Sequence, residues 1–238
     1  MKTALITGAG GGLGHASIEQ FRKGGWRVIP TDMKAGAWSE GEDAPLIGTI
    51  GSPEWTSELH TLAADGLDAV VSAHGIEGTG GLFDLDEARM SLVMTVNYST
   101  VVKLHENTID LLEKKGGAFV AISSQAGVQG ETAAAAYCAS KFAVREFMNL
   151  QVSHSNGKVR YRTLCPGATE TPLLKKAFEG IAAAEGITYE EVLGRRSAAV
   201  PIGRLGRPTD IGAATLWLAE LRTKAILGAL VSGGEVLR

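Results

Sequence analysis

Tyr137 and Lys141 stand four residues apart in Tyr137-Cys138-Ala139-Ser140-Lys141, at the start of a helical pattern over residues 133–155. In a helix that spacing puts both side chains on one face. An ammonium beside a phenol favours the phenolate, so the tyrosine's pKa is expected to fall below its ordinary value of about 10. Such a tyrosine could take the proton of an alcohol during oxidation and return one to a ketone during reduction. The same spacing also occurs on helix faces that do no chemistry, so the pair needs company. Ser123 and Ser124 provide some, directly after the apolar run 118–122. That is where an open α/β sheet binds ligands, although turn formation or capping would use the same residues. Asn97 lies inside another helical pattern, over 85–114, where a cap or a solvated side chain is the alternative.

A second chemical signal lies near the N-terminus. Thr7-Gly8-Ala9-Gly10-Gly11-Gly12-Leu13-Gly14 follows a short apolar run and opens an amphipathic stretch over 13–23. Glycines there allow a tight turn and let backbone N–H groups approach a pyrophosphate, which the positive end of the helix dipole favours. A glycine cluster can also be only a turn, but Asp32 adds context. It ends the next apolar run, 18 residues after Gly14. The ribose-binding acid of a dinucleotide site falls about 20 residues beyond the glycines. A carboxylate there accepts hydrogen bonds from the ribose hydroxyls and repels a 2′-phosphate, which points to NAD over NADP.

These residues need a frame to bring them together. Strands are expected at about 4–6, 26–31, 45–50, 67–71, 118–122, 159–164 and 226–231, alternating with helices. Ser52-Pro53-Glu54 is a helix start, with serine as N-cap and proline first in the helix. Arg160 and Arg162 alternate in the sixth strand, which suggests a solvated or ion-paired face. The alternation predicts a Rossmann-type α/β fold: a doubly wound, mostly parallel seven-stranded sheet with helices on both faces. No linker, repeat or low-complexity segment divides the 238 residues, so a single domain over 1–238 is expected.

Taken together, the pattern resembles the short-chain dehydrogenase/reductase family in its shorter form, along essentially the whole chain. Thr7-Gly8, Gly12 and Gly14 match its TGxxxGxG cofactor motif. Asn97, Ser124, Tyr137 and Lys141 match its catalytic tetrad in order, and the 13-residue step to Tyr137 selects Ser124 over Ser123. Pro166-Gly167 and Thr171 match the PGxxxT segment beside the nicotinamide, and residues 203–208 resemble the stretch before the final helix. The resemblance implies cofactor contacts from Gly8, Gly12, Leu13, Gly14, Asp32, Thr49, Ile50, Gly75, Tyr137, Lys141, Pro166, Gly167 and Thr171. It implies hydride transfer between NAD and a small secondary alcohol or ketone. Tyr137 would be the acid/base, Ser124 the group holding the substrate oxygen, and Lys141 the partner of tyrosinate and ribose. Asn97 would anchor a relay water. A homotetramer and a substrate lid over about 172–200, rich in Leu173, Leu174, Phe178, Ile181, Ile187 and Val192, are implied as well.

Two segments depart from the family. Ser72-Ala73-His74-Gly75 stands where Asn-Asn-Ala-Gly is frequent, with only Gly75 in common, so lost asparagine hydrogen bonds must be replaced. Thr49-Ile50 stands where an adenine-contacting acid usually precedes Val or Ile.

Composition narrows the other classes. A net charge of -3 gives no general attraction to nucleic acid, and no apolar run reaches bilayer-spanning length. The N-terminus runs straight into the first strand pattern, without a signal-peptide stretch. The two cysteines, Cys138 and Cys165, make no disulfide framework and suit a reducing cytoplasm; Cys165 is read as a small packed residue. His15, His60, His74, His105 and His154 show no ligand spacing, so no metal is expected, and His74 is read as a hydrogen-bonded loop residue. Trp217 is expected in a core or subunit contact. The same tetrad would also serve an NADPH-dependent 3-oxoacyl-thioester reductase, against which Asp32 argues. A non-catalytic dinucleotide sensor would need neither Tyr137 nor Ser124.

Overall fold

The computed structural model describes residues 1–39, 45–78, 86–131 and 134–234. Among them one sheet has seven strands: β1 (Thr3–Thr7), β2 (Arg27–Asp32), β3 (Leu46–Ile47), β4 (Ala69–Ser72), β5 (Ala118–Ile122), β6 (Arg160–Pro166) and β7 (Gly228–Val231). The order is β3-β2-β1-β4-β5-β6-β7, and every neighbouring pair is parallel. This is the expected Rossmann-type doubly wound fold. The winding reverses between β1 and β4, and such a switch point opens a crevice beyond the strand C-termini.

Alternate strand residues feed opposite cores. Leu5, Val70, Phe119 and Ala121 pack beneath Trp55 and Leu59 of α2 (Pro53–Leu62), Leu104 of α4 (Thr100–Glu106), and Val144 and Met148 of α6 (Ala135–His154). Ala4, Ile6, Val71 and Val120 pack on the other face, against Ile18 and Phe21 of α1 (Gly12–Lys23) and Ile211 and Leu218 of α9 (Pro208–Glu220). Burial on both faces explains why the strands read as continuous apolar runs.

Local chemistry sets several helix starts. Ser52 accepts the Trp55 N–H at 3.2 Å, and Pro53 begins α2, as the sequence leads one to expect. Thr171 accepts from Leu174 N at 3.2 Å to start α7 (Pro172–Glu185). A reciprocal Thr188–Glu191 box starts α8 (Tyr189–Ala199).

Three expectations are corrected. The third strand shrinks to two residues, because Thr49 accepts the Ser52 N–H at 3.0 Å and Thr49-Ile50 form a turn. The single helix over 85–114 becomes α3 (Glu87–Met94), a wider π turn (Thr95–Ser99), α4, and α5 (Ile109–Lys115) after a break at Asn107–Thr108. Arg162 is buried and donates to the carbonyls of Tyr161 and Thr223, while Arg160 donates to those of Gly116 and Ala219. Backbone oxygens, rather than carboxylates, thus receive these guanidinium groups, and only Arg160 keeps the partial exposure expected of the pair. Trp217 is 47% exposed, so of the two expected settings, core or subunit contact, the core of this chain is excluded. Both cysteines are buried and free, Cys165 packed as expected. Residue 85 and residue 133, two of the expected helix ends, lie outside the described residues. Among the described residues no helix is long and apolar enough to cross a membrane.

Candidate active site

The glycine loop leaves β1 at the switch point. Gly8 has φ +67, and a Cβ there would sit 2.8 Å from the backbone nitrogen of His74. A Cβ on Gly14 would collide with the Gly8 carbonyl oxygen, and one on Gly12 would lie 3.1 Å from Thr171 Cγ2. The first positions of α1 therefore lie directly against the loop, and Thr171 closes over it. Gly11, the N-cap of α1, offers no side-chain oxygen to the first-turn N–H groups. Such groups are free to receive an anion. Asp32 borders the same loop: Oδ2 accepts the Gly10 N–H at 3.0 Å and Oδ1 the Met33 N–H at 2.7 Å. A carboxylate has about four acceptor positions, so both oxygens retain capacity toward a ribose. These cradled glycines and the bordering carboxylate fit a dinucleotide.

The four tetrad candidates lie farther along the sheet edge. Ser124, two residues beyond β5, accepts the Ala126 N–H at 3.1 Å and shares a cavity wall with Tyr137, whose phenolate it favours. Ser123 instead donates to the Lys141 carbonyl at 2.9 Å and is buried, which leaves Ser124 as the serine beside Tyr137. Lys141 Nζ donates to the Ile122 carbonyl at 3.0 Å and lies 5.7 Å from the centre of the Tyr137 ring. Asn97 reaches this group from the π turn, a feature frequent at functional sites. Its Oδ1 accepts from Ile76 N at 2.8 Å, and its Nδ2 donates to Ile76 O at 3.0 Å and to Ser140 Oγ at 3.1 Å. The side chain thus braces the segment after β4 against α6. A Cβ on Gly75, in that segment, would lie 3.2 Å from Asn97 Oδ1 and 3.5 Å from Lys141 Nζ.

Electrostatics differ from the simple helix-face argument. Tyr137 is pushed up to about 12, not down: burial disfavours the phenolate, and only the Ser124 hydrogen bond favours it against Glu131 and Cys138. Lys141 is pushed down to about 8, chiefly by burial. In this state desolvation outweighs the attraction between the two, and a protonated phenol is favoured.

A cavity of about 640 Å³ opens beside Ser124 and Tyr137. Leu13, Pro166, Gly167 and Thr171 line its cofactor-loop side. Leu173, Leu174, Phe178, Ile181 and Val192 of α7 and α8 line another wall; Ile187 packs in the cluster behind them. Thr49 and Ile50, like Asp32 and Gly75, are not among the residues lining this cavity. Thr49 is exposed on its turn, and Ile50 packs on the α2 side of the core. Sequence reasoning passed over Gln129, Glu131 and Arg196, which also line the cavity, with the Arg196–Glu131 ion pair at 3.4 Å. They carry no periodic or motif signal. His74 makes a 2.7 Å contact with Thr7 Oγ1, so it is a hydrogen-bonded loop residue as read, with its Nε2 closed off from solvent. Among the described residues no group of three or more His, Cys, Asp or Glu could hold a metal.

The sequence pattern described as short chain dehydrogenase matches residues 52–182. The chain belongs to the short-chain dehydrogenase family. Among its relatives in that family is 2-(S)-hydroxypropyl-CoM dehydrogenase 3 of Xanthobacter autotrophicus, 30% identical over 96% of this chain and 94% of that one. L-fucose dehydrogenase of Mus musculus is 29% identical over 99% of this chain and 89% of its own. The aldohexose dehydrogenase of Thermoplasma acidophilum shares the fold, with a TM-score of 0.87 at 22% identity over 98% of this chain and 93% of that one. As a short-chain dehydrogenase the protein is an oxidoreductase of the nicotinamide-dinucleotide class.

Proposed function

We propose that this short-chain dehydrogenase uses NAD to interconvert a small secondary alcohol and its ketone. The observation that carries this reading is that Ser124 and Tyr137 line a cavity shared with Leu13 and Thr171, with Lys141 Nζ buried behind the wall 5.7 Å from the centre of the Tyr137 ring. When bound, the dinucleotide supplies the hydride acceptor or donor. The chain does the rest. Ser124 and Tyr137 hold the substrate oxygen, and Tyr137 gives its phenolic proton to a carbonyl under reduction or accepts the hydroxyl proton under oxidation. Lys141 steadies the tyrosinate and reaches the ribose, while Asn97 keeps α6 and the segment after β4 in register. Gly8, Gly12, Leu13 and Gly14 receive the pyrophosphate, Asp32 the adenosine ribose, and Gly75, Pro166, Gly167 and Thr171 the nicotinamide half. The segment 172–200 acts as a substrate lid on this one domain. Two buried, unpaired cysteines support a reducing, cytoplasmic setting.

The test is turnover of a panel of ketones and secondary alcohols with NAD(H) and NADP(H), in the parent and in Tyr137→Phe. The variant keeps the ring and loses the proton, so kcat falls about a hundredfold or more while NAD binding persists. Near-parent turnover in Tyr137→Phe removes the acid/base assignment, and a protein that binds NAD but turns over no member of the panel supports a sensor instead.

A further inference from the structure

His74 stands apart from the tetrad, in the segment where this chain departs from the family's Asn-Asn-Ala-Gly. We propose that His74 is a positioning residue of the dinucleotide site, acting through Thr7 on the glycine loop. The inference rests on the dinucleotide reading above.

Three observations carry it. First, His74 Nδ1 lies 2.7 Å from Thr7 Oγ1. The same hydroxyl accepts the Ala73 N–H at 3.1 Å and lies 3.3 Å from the Val71 carbonyl. Second, Nε2 is sealed from solvent and has no hydrogen-bond partner among the described residues. Third, His74 sits at a junction. Its backbone nitrogen crowds Gly8, and the next residue, Gly75, adjoins Asn97 and Lys141.

These observations select one arrangement of hydrogens. If Nε2 carried the proton, a buried N–H would be left without an acceptor, the rarer and costlier defect. With the proton on Nδ1, the imidazole donates to Thr7, and Thr7 donates to the Val71 carbonyl. Only a lone pair on Nε2 is then unmatched. The result is a relay of hydrogen bonds from His74 through Thr7 to Val71, lashing the end of β1 to the end of β4 immediately before Gly8. The imidazole stays neutral, since burial and the Lys141 charge hold its pKa down to about 3. A smaller apolar residue would avoid burying an unmatched nitrogen but could not hold the Thr7 hydroxyl. The gain is a fixed turn at Gly8, whose backbone shapes the anion cradle. The effect therefore falls on dinucleotide affinity and not on proton transfer at Tyr137.

Asn and Gln separate the two nitrogens, because an Asn amide reaches the place of Nδ1 and a Gln amide that of Nε2. NAD affinity, kcat and KM are to be measured for the parent, His74→Ala, His74→Asn, His74→Gln, Thr7→Val, and the Thr7→Val/His74→Ala double variant. His74→Ala is expected to weaken NAD binding about tenfold, the worth of one buried hydrogen bond, with kcat at saturating NAD changed less than about threefold. His74→Asn should recover most of the affinity and His74→Gln should not. The double variant should bind NAD no more weakly than Thr7→Val alone. Parent-like affinity in His74→Ala, additive losses in the double variant, or rescue by Gln and not by Asn would each overturn the assignment. If His74→Ala does not fold, the Asn-to-Gln affinity ratio decides, and a ratio near one overturns it. A parent that binds NAD while His74→Ala is unchanged sinks this inference alone; a parent that binds neither NAD nor NADP sinks the cofactor reading with it.

Discussion

Lys141 Nζ lies 5.7 Å from the centre of the Tyr137 ring and spends a hydrogen bond on the Ile122 carbonyl at 3.0 Å. The ammonium is therefore near the phenol's ring while tied to the end of β5. Both groups are enclosed, and burial drives each toward its neutral form: Tyr137 to about 12, Lys141 to about 8.

This arrangement makes the two reaction directions respond differently to pH. Under the proposed assignment, reduction needs the Tyr137 proton, present throughout the neutral range, and the Lys141 charge, which is lost as pH rises through about 8. Oxidation needs tyrosinate, whose population grows with pH. We expect kcat/KM for a ketone to decline above about pH 8 and kcat/KM for an alcohol to climb between pH 6 and 8. Paired pH–rate profiles check this; an oxidation rate that falls across that interval contradicts it.

In the proposed reading Asp32 carries the cofactor choice. Its carboxylate opposes a 2′-phosphate and also holds the Gly10 N–H at 3.0 Å. The parent is expected to favour NAD over NADP by about tenfold or more in kcat/KM, because the 2′-phosphate of NADP adds a charge repulsion and removes ribose hydrogen bonds. Asp32→Asn, which keeps an acceptor for Gly10, should narrow that ratio, and Asp32→Ala should narrow it while weakening both cofactors. Equal efficiencies in the parent would defeat the NAD assignment.

In the proposed reading the wall formed by α7 and α8 sets substrate choice. Leu174 and Phe178 line the cavity and pack in the same apolar cluster. Leu174→Ala and Phe178→Ala are expected to shift the kcat/KM ratio between a small and a bulky ketone by about tenfold with little change in NAD affinity. Hydrogen exchange of residues 172–200 should slow when NAD and substrate bind together. Unchanged selectivity with unchanged exchange would reject the lid.

His74 also predicts how acid affects the fold. Its ordinary pKa of 6.5 falls to about 3 in the folded protein. Below pH 6.5 the unfolded chain takes up a proton that the folded chain refuses, so stability present above that pH is lost progressively as pH falls toward 3. His105, lowered by burial in the core, adds in the same direction. Between pH 6.5 and 5, His74 alone should remove up to about 2 kcal/mol. Denaturant titrations across this range should therefore show a flatter pH dependence in His74→Asn than in the parent. Identical slopes would remove His74 from the account.

Assembly is the remaining expectation. Leu92 on α3 and Leu150 on α6 are 46% and 59% exposed, on the helical segments through which the family resemblance implies subunit pairing. Sedimentation should give a mass four times that of the chain, lowered by charged substitutions such as Leu150→Glu. A monomer mass independent of concentration would count against it.

What the sequence by itself determined here is what neighbouring residues decide among themselves. The apolar runs of β1, β4 and β5, the turn made by Gly8–Gly14 and the helix start at Ser52-Pro53 depend on short-range geometry, and so does the shared face of Tyr137 and Lys141. Each was legible from spacing alone. The tertiary structure decided what depends on distant groups. Asn97 faces Ser140 because a π turn interrupts a helix pattern that reads as continuous. His74 meets Thr7 across 67 residues of chain, and Arg196 meets Glu131 across 65. The acidity of Tyr137 reversed the expected direction for the same reason. A pKa set by desolvation depends on everything packed around the group, and helix spacing reports only the nearest charge.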